Sequence, residues 1–331
     1  MEPLFLTYLL LPLGYTAALA ALSTTAERAL EQGQPERAVK LLKWARKAPF
    51  LSTYRSMCEV NLITAAYALE DFELVEQVWR TLEPKLESLR PYAGSALASY
   101  GATLIGRGRY LEAEALLRSP LQDPRPNQRA DNITVLCRAF CRANLASALL
   151  NLGKFQEARE LLAPDDYEAT RVPLLISLVT FLRAYLLYID TQIEEARAIA
   201  TAIDFTHLPL LYRTELRYHY ATLLARCEDP EAAARVVSAV EWDTSGHRKL
   251  LRLRILAQAE IASARGNIDL ALSYFRDLKA LGNRGALACI RAAALASRSG
   301  DSVLQREFLE AAYELDPESH WAEIARKKLE A

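Results

Sequence analysis

Glycine and proline are scarce in this chain, 12 and 14 of 331 residues, and methionine is almost absent at 2. So little punctuation excludes a fold built from many short strands and tight turns. What fills the space is Ala, Leu, Glu and Arg, which lose little rotamer freedom in a helix. The expected class is all-α. Charge of one sign is lacking too: 40 Lys and Arg stand against 41 Asp and Glu, a formal net of −1. No global field then favours nucleic acid, and no nucleic-acid partner is expected. The richest basic stretch, Arg248-Lys249 with Arg252 and Arg254, reads as a solvated helix face. The five cysteines (Cys58, Cys137, Cys141, Cys227, Cys289) are odd in number, scattered and without a Cys-x-x-Cys pair. That excludes a disulfide framework and fits a reducing compartment.

Chemistry-bearing motifs are equally thin. The four histidines, His207, His219, His247 and His320, never stand at metal-ligand spacing, and no His-Glu-x-x-His occurs. Gly153-Lys154 lacks the Ser/Thr and upstream Gly of a phosphate loop. Cys137 and Cys141 make at most half a metal site. Neither a catalytic residue, a metal nor a cofactor is expected.

What is present is a repeat. A small residue is followed seven positions later by a turn residue, two beyond that by a hydrophobic one, and three further by Ala. The clearest copies are Ala146/Gly153/Phe155/Ala158, Gly101/Gly108/Tyr110/Ala113 and Ala259/Gly266/Ile268/Ala271. Five others keep the phase: Ala26/Gly33/Pro35/Ala38, Ile63/Glu70/Phe72/Val75, Ala184/Thr191/Ile193/Ala196, Ala221/Glu228/Pro230/Ala233 and Ala293/Gly300/Ser302/Gln305. Two helices cross closely only where both present small side chains. The turn between them needs a residue that accepts positive φ or breaks the helix. Each unit is therefore read as a helical hairpin, helix A then helix B, that must stack on its neighbours to bury its faces.

These units resemble the tetratricopeptide repeat (TPR) superfamily, the last ending in the typical Ala312-Tyr-Glu-Leu-Asp-Pro317. The resemblance implies a right-handed α-α superhelix of about eight hairpins over residues 22–319, without the family Trp at the start of helix A. A break is expected at 118–133, which holds three prolines, and a C-terminal capping helix at 320–331. It also implies a non-catalytic scaffold or adaptor. The concave groove would be lined by helix A at positions three and two before the small residue and one, four and five after it. Those offsets select Asn61, Asn144, Ser147, Phe181, Tyr185, Tyr188, Tyr218, His219 and Arg226 for a protein or peptide partner. An Asn amide both donates and accepts, which suits an extended peptide backbone.

From Pro3 to Ala26 there is no charged residue. Residues 1–21 read first as a hydrophobic helix anchoring the chain in a membrane, with contact through 4–22. Arg28, Arg37, Lys40, Lys43, Arg46 and Lys47 follow, which places the repeats on the cytoplasmic side. Two readings compete: a helix packed on the first repeat or on a second copy, giving a soluble cytoplasmic homo-oligomer, and a cleaved signal peptide. The layout is similar to bacterial membrane-anchored TPR proteins of lipopolysaccharide assembly. Their rubredoxin-like metal module, with paired Cys-x-x-Cys motifs, is missing here, so no function is carried over from them.

Overall fold

The computed structural model describes residues 21–47, 52–89, 93–119, 132–162, 167, 170–242, 244, 246–282 and 285–330. Among these residues there is no strand. The expected anchor at 1–21 lies almost wholly outside the described residues, as does most of the expected break at 118–133. No helix among the described residues is long and apolar enough to cross a membrane.

The architecture is a TPR-like series of helical hairpins. Residues 21–31 form α1, followed by α2 (Pro35–Ala45), α3 (Ser52–Ala68), α4 (Phe72–Leu82), α5 (Ala93–Gly106) and α6 (Tyr110–Arg118). Then come α7 (Asn132–Asn151), α8 (Phe155–Leu161), α9 (Pro173–Ile189), α10 (Ile193–Thr201), α11 (Leu210–Arg226) and α12 (Pro230–Ser238). The last five are α13 (Arg248–Ala264), α14 (Ile268–Ala280), α15 (Ala286–Arg298), α16 (Ser302–Leu315) and α17 (His320–Glu330).

The repeat phase is written into the backbone. All eight turn residues adopt a left-handed conformation: the five glycines Gly33, Gly108, Gly153, Gly266 and Gly300 have φ between 72° and 79°. Glu70, Thr191 and Glu228 follow at 58°, 63° and 60°. In every turn the next residue's N–H donates to the carbonyl three residues past the small position, as Lys154 does to Leu149 and Asn267 to Ala262, both at 2.9 Å. This is the Schellman closure, which satisfies carbonyls that the end of helix A would otherwise orphan. At four turns that next residue also caps helix B: Asp71, Asp229, Asn267 and Asp301 accept from the N–H three residues on. One tetrapeptide thus stops helix A and starts helix B.

The small positions are buried as the pattern requires, Ala146, Ala184, Ala221 and Ala259 at 0% exposure. At Gly101 a Cβ would come within 2.7 Å of the Leu117 side chain, so α5 and α6 cross too closely for any other residue without repacking. The eighth unit departs from the pattern, since Gln305 is half-buried and Leu304 takes the core place. All five cysteines are buried without a disulfide.

The chain divides into two compact units, residues 1–100 with 209–211, and the remainder. In the first, Trp79 stacks on Tyr100 with centroids 4.1 Å apart, and the Tyr100 hydroxyl donates to Glu76 at 3.0 Å. In the second, α6 to α10 pack each on the next, as do α12 to α16, and α17 lies against both α15 and α16. The helix expected as a cap at 320–331 does more than cover the last hairpin. Its entry segment returns to the start of the same unit: the Tyr110 hydroxyl donates to Asp316 at 3.1 Å, and the Leu111 N–H donates to Glu318 at 3.0 Å. His320 meets Phe155 edge-on at 5.4 Å. The second unit closes on itself.

Candidate binding surface

The closure leaves an inner face lined by the first helices of the hairpins. Its tightest evidence is a contact between Arg291 on α15 and Tyr188 on α9, where Nη1 stands 3.5 Å from the hydroxyl. These groups are three hairpins apart in sequence and meet because the inner side of the curve shortens the path.

Five of the residues selected from sequence come together here. Phe181 stacks on Tyr185 (6.1 Å), Tyr185 on Tyr188 (6.1 Å), and Phe181 tilts against His219 (5.4 Å). Arg226 approaches the Tyr185 hydroxyl and donates through Nε to Glu260 at 2.9 Å. Glu260 is fully buried and accepts from Arg291 Nε on its other oxygen at 2.6 Å. One carboxylate thus serves two guanidiniums. Burial pushes the Tyr185 phenol up, and it opposes the charge on Arg226, which the Glu260 carboxylate more than restores. Burial lowers His219, with Lys249 and Arg226 acting in the same direction against Glu215. Glu215 sits below the usual carboxylate range despite burial, because Lys249 and His219 favour its charge.

The other selected residues stand apart. Tyr218 is a correction: it is 2% exposed, with its hydroxyl 3.4 Å from Thr244 Oγ1, and presents nothing to a partner. Adjacent residues on a helix point about 100° apart, so His219 and Tyr218 cannot both face inward. Asn61, in the first unit, donates through Nδ2 to Glu27 at 2.9 Å, so its amide is already engaged. Asn144 and Ser147 are half-buried one turn apart on α7, and the Ser147 carbonyl accepts from Asn151. The basic stretch on α13 is also corrected, since Lys249 is not solvated but pairs with Glu215 at 2.6 Å.

Three residues of this surface were missed although the rule that found the others reaches them. Glu260 is one after Ala259, and Arg291 and Arg298 are two before and five after Ala293. Applying the same offsets to the seventh and eighth units selects all three. Below the cluster, at the turn ends of α9, α11, α13 and α15, lies a cavity of about 1020 Å³. Tyr188, Arg226, Arg291, Arg298, His320 and Trp321 are among its walls. No group of residues suited to hold a metal occurs among the described residues.

No protein-family model matches the chain, and no protein of curated function matches it. Among solved structures it is similar to a monomeric mutant of IFIT1 with Gppp-AAAA, at 15% identity and a TM-score of 0.46, covering 94% of this chain and 77% of that one. A second IFIT1 mutant, with m7Gppp-AAAA, gives the same values. The APC/C hetero-tetramer Cut9-Hcn1 is similar at 13% identity with a TM-score of 0.25, covering 94% and 76%.

Proposed function

We propose that the chain is a non-catalytic scaffold or adaptor that holds a protein segment against the inner face of its second unit. The single observation carrying this reading is the contiguous set of half-buried rings Phe181, Tyr185, Tyr188 and His219, with Arg226 approaching the Tyr185 hydroxyl. Tyr and Arg are the residue types that dominate binding energy at protein interfaces. The architecture alone would not support the reading, since helical-hairpin arrays serve many functions.

The test is co-purification of partners from native cells by the full chain and by a Tyr185→Ala/His219→Ala variant. Loss of a defined partner from the variant, with unchanged helicity, supports the inner face. Equal capture moves binding elsewhere. The uncharged run between Pro3 and Ala26 supports a tether to the cytoplasmic face of a bacterial membrane. Fractionation tests that part: the full chain belongs in the membrane pellet, and a chain lacking residues 1–21 in the supernatant. A full chain that stays in the supernatant as an oligomer, and becomes monomeric without residues 1–21, would replace the tether by self-association.

A further inference from the structure

We propose that the cavity at the turn ends of α9, α11, α13 and α15, closed by α17, binds a ligand that carries an oxyanion beside a planar ring, the oxyanion seated between Arg291 and Arg298. The idea needs the closed second unit and does not depend on a protein partner.

Charge supplies the first argument. Glu260 has both oxygens committed, one to Arg226 and one to Arg291, so the three groups together keep one net positive charge. The Arg226 side chain is 7% exposed and Glu260 is 0% exposed, whereas Arg291 is 29% exposed. Both arginines line the cavity, and Arg291 is the more exposed of the two. Its Nη1 leans on the Tyr188 hydroxyl, and its Nη2 has no bond among the described residues. Partly withdrawn from solvent, such a charge attracts an anion more strongly than it would in bulk water.

Geometry adds to this. Leu287, Arg291 and Arg298 stand at i, i+4 and i+11, one face of α15, and all three line the cavity. Arg298 is exposed and has no ion pair among the described residues. It lies about 10 Å further along the axis at 1.5 Å per residue. A cation in the last turn suits the helix dipole, which accounts for Arg298 as a residue type. It does not account for Arg291 in mid-helix, beside a carboxylate already matched. A guanidinium fork fits carboxylate and phosphate oxygens two at a time.

Size and wall chemistry supply the ring. At about 1020 Å³ the cavity is at the upper end for small-ligand sites, far more than one oxyanion fills. Tyr188 and Trp321 are aromatic members of its wall, with Ile189, Ile193 and Ala264 as apolar wall. An aromatic residue ending in a carboxylate and a nucleoside monophosphate share the required chemistry.

The full chain is titrated, by calorimetry and Trp fluorescence, with the dipeptide Glu-Tyr and with adenosine monophosphate. Gln-Tyr amide and adenosine serve as counterparts lacking an oxyanion. Tighter binding of either anion than its counterpart by tenfold or more supports the site and names the source. Arg298→Gln, at an exposed position with no ion pair, should weaken that binding at least tenfold, and Arg298→Lys should restore part of it. Binding of neither anion at millimolar concentration, equal binding of the counterparts, or an unchanged Arg298→Gln variant would each overturn the proposal. Partner co-purification can fail or succeed without affecting this outcome.

Discussion

Closure of the second unit rests on α17 meeting the turn of the fourth hairpin, and paired glycine substitutions measure it. Gly153 and Gly266 occupy equivalent turn positions with φ of 75° and 76°. They differ in their surroundings. A Cβ at Gly266 meets nothing within 4 Å, whereas one at Gly153 would lie 2.8 Å from His320 Nδ1, 2.9 Å from Cγ and 3.1 Å from Cβ. Holding an L side chain in the left-handed region costs about 1–2 kcal/mol. Restricting the unfolded chain returns about 0.4–1 kcal/mol of that. Gly266→Ala should therefore cost at most roughly 1.6 kcal/mol. Gly153→Ala bears the same backbone cost and also drives into His320. The clash includes the root of that side chain, so rotation of the ring alone does not relieve it. Overpacking of this kind adds about 1–3 kcal/mol.

Repeat arrays seldom unfold as a single two-state unit, so the comparison is best read locally. Amide hydrogen exchange should show protection falling across 320–330 in Gly153→Ala and unchanged there in Gly266→Ala. A His320→Ala background provides the cycle: with the two closest atoms gone and only the 3.1 Å contact to Cβ left, Gly153→Ala should lose most of its cost in excess of Gly266→Ala. Equal losses for both glycines in the wild-type background, with exchange at 320–330 undisturbed, would refute the closure.

Two further predictions test the groups around that closure and the cavity. Burial raises the Asp316 carboxyl to about 6, while its Oδ1 finds no partner. The folded chain then holds that proton more tightly than the unfolded chain, whose Asp titrates near 3.9. Stability should fall as pH rises from about 4 through about 6 and level off above. Asp316→Asn should remove that slope from urea-unfolding curves and gain up to about 3 kcal/mol at pH 7; parallel curves for variant and wild type would count against it. Glu260→Gln leaves two guanidiniums facing a neutral amide and should cost about 3–5 kcal/mol in thermal unfolding. Adding Arg226→Met should recover a large part of that loss, and no recovery would mean that charge is not what the carboxylate supplies.

How far the sequence could be read follows from the range of the forces involved. The turns were legible because a Schellman closure is local, spanning six residues, and leaves one position where the residue type shows the backbone. Even Glu70, Thr191 and Glu228, which are not glycine, could be placed by phase, since seven other copies define the offset. The inner face was legible in part for the same reason: offsets from the small residue fix direction around helix A to within about 100° per residue. That resolution fails between neighbours, which is why Tyr218 was selected with His219 although only His219 faces inward. Lys249 failed for a different reason. Its own helix gives no sign of Glu215, a hairpin earlier, which draws it out of solvent.

The closure itself had no local signature. Tyr110 and Asp316 are 206 positions apart, and their meeting depends on the small rotation added by each of six hairpins. Periodicity fixes what a hairpin is, but not the rotation between hairpins, which comes from the volumes of all the side chains packed between them. Curvature then decides which side chains meet on the inner face. On an open array, Arg291 would be one cation on a solvated helix. In the closed unit it faces Tyr188 three hairpins back and shares a buried carboxylate with Arg226, so that the three groups keep one net positive charge. A change that loosens one hairpin interface should therefore weaken ligand binding at Arg291 without touching it, and Gly153→Ala is the substitution in which both effects can be read from the same protein.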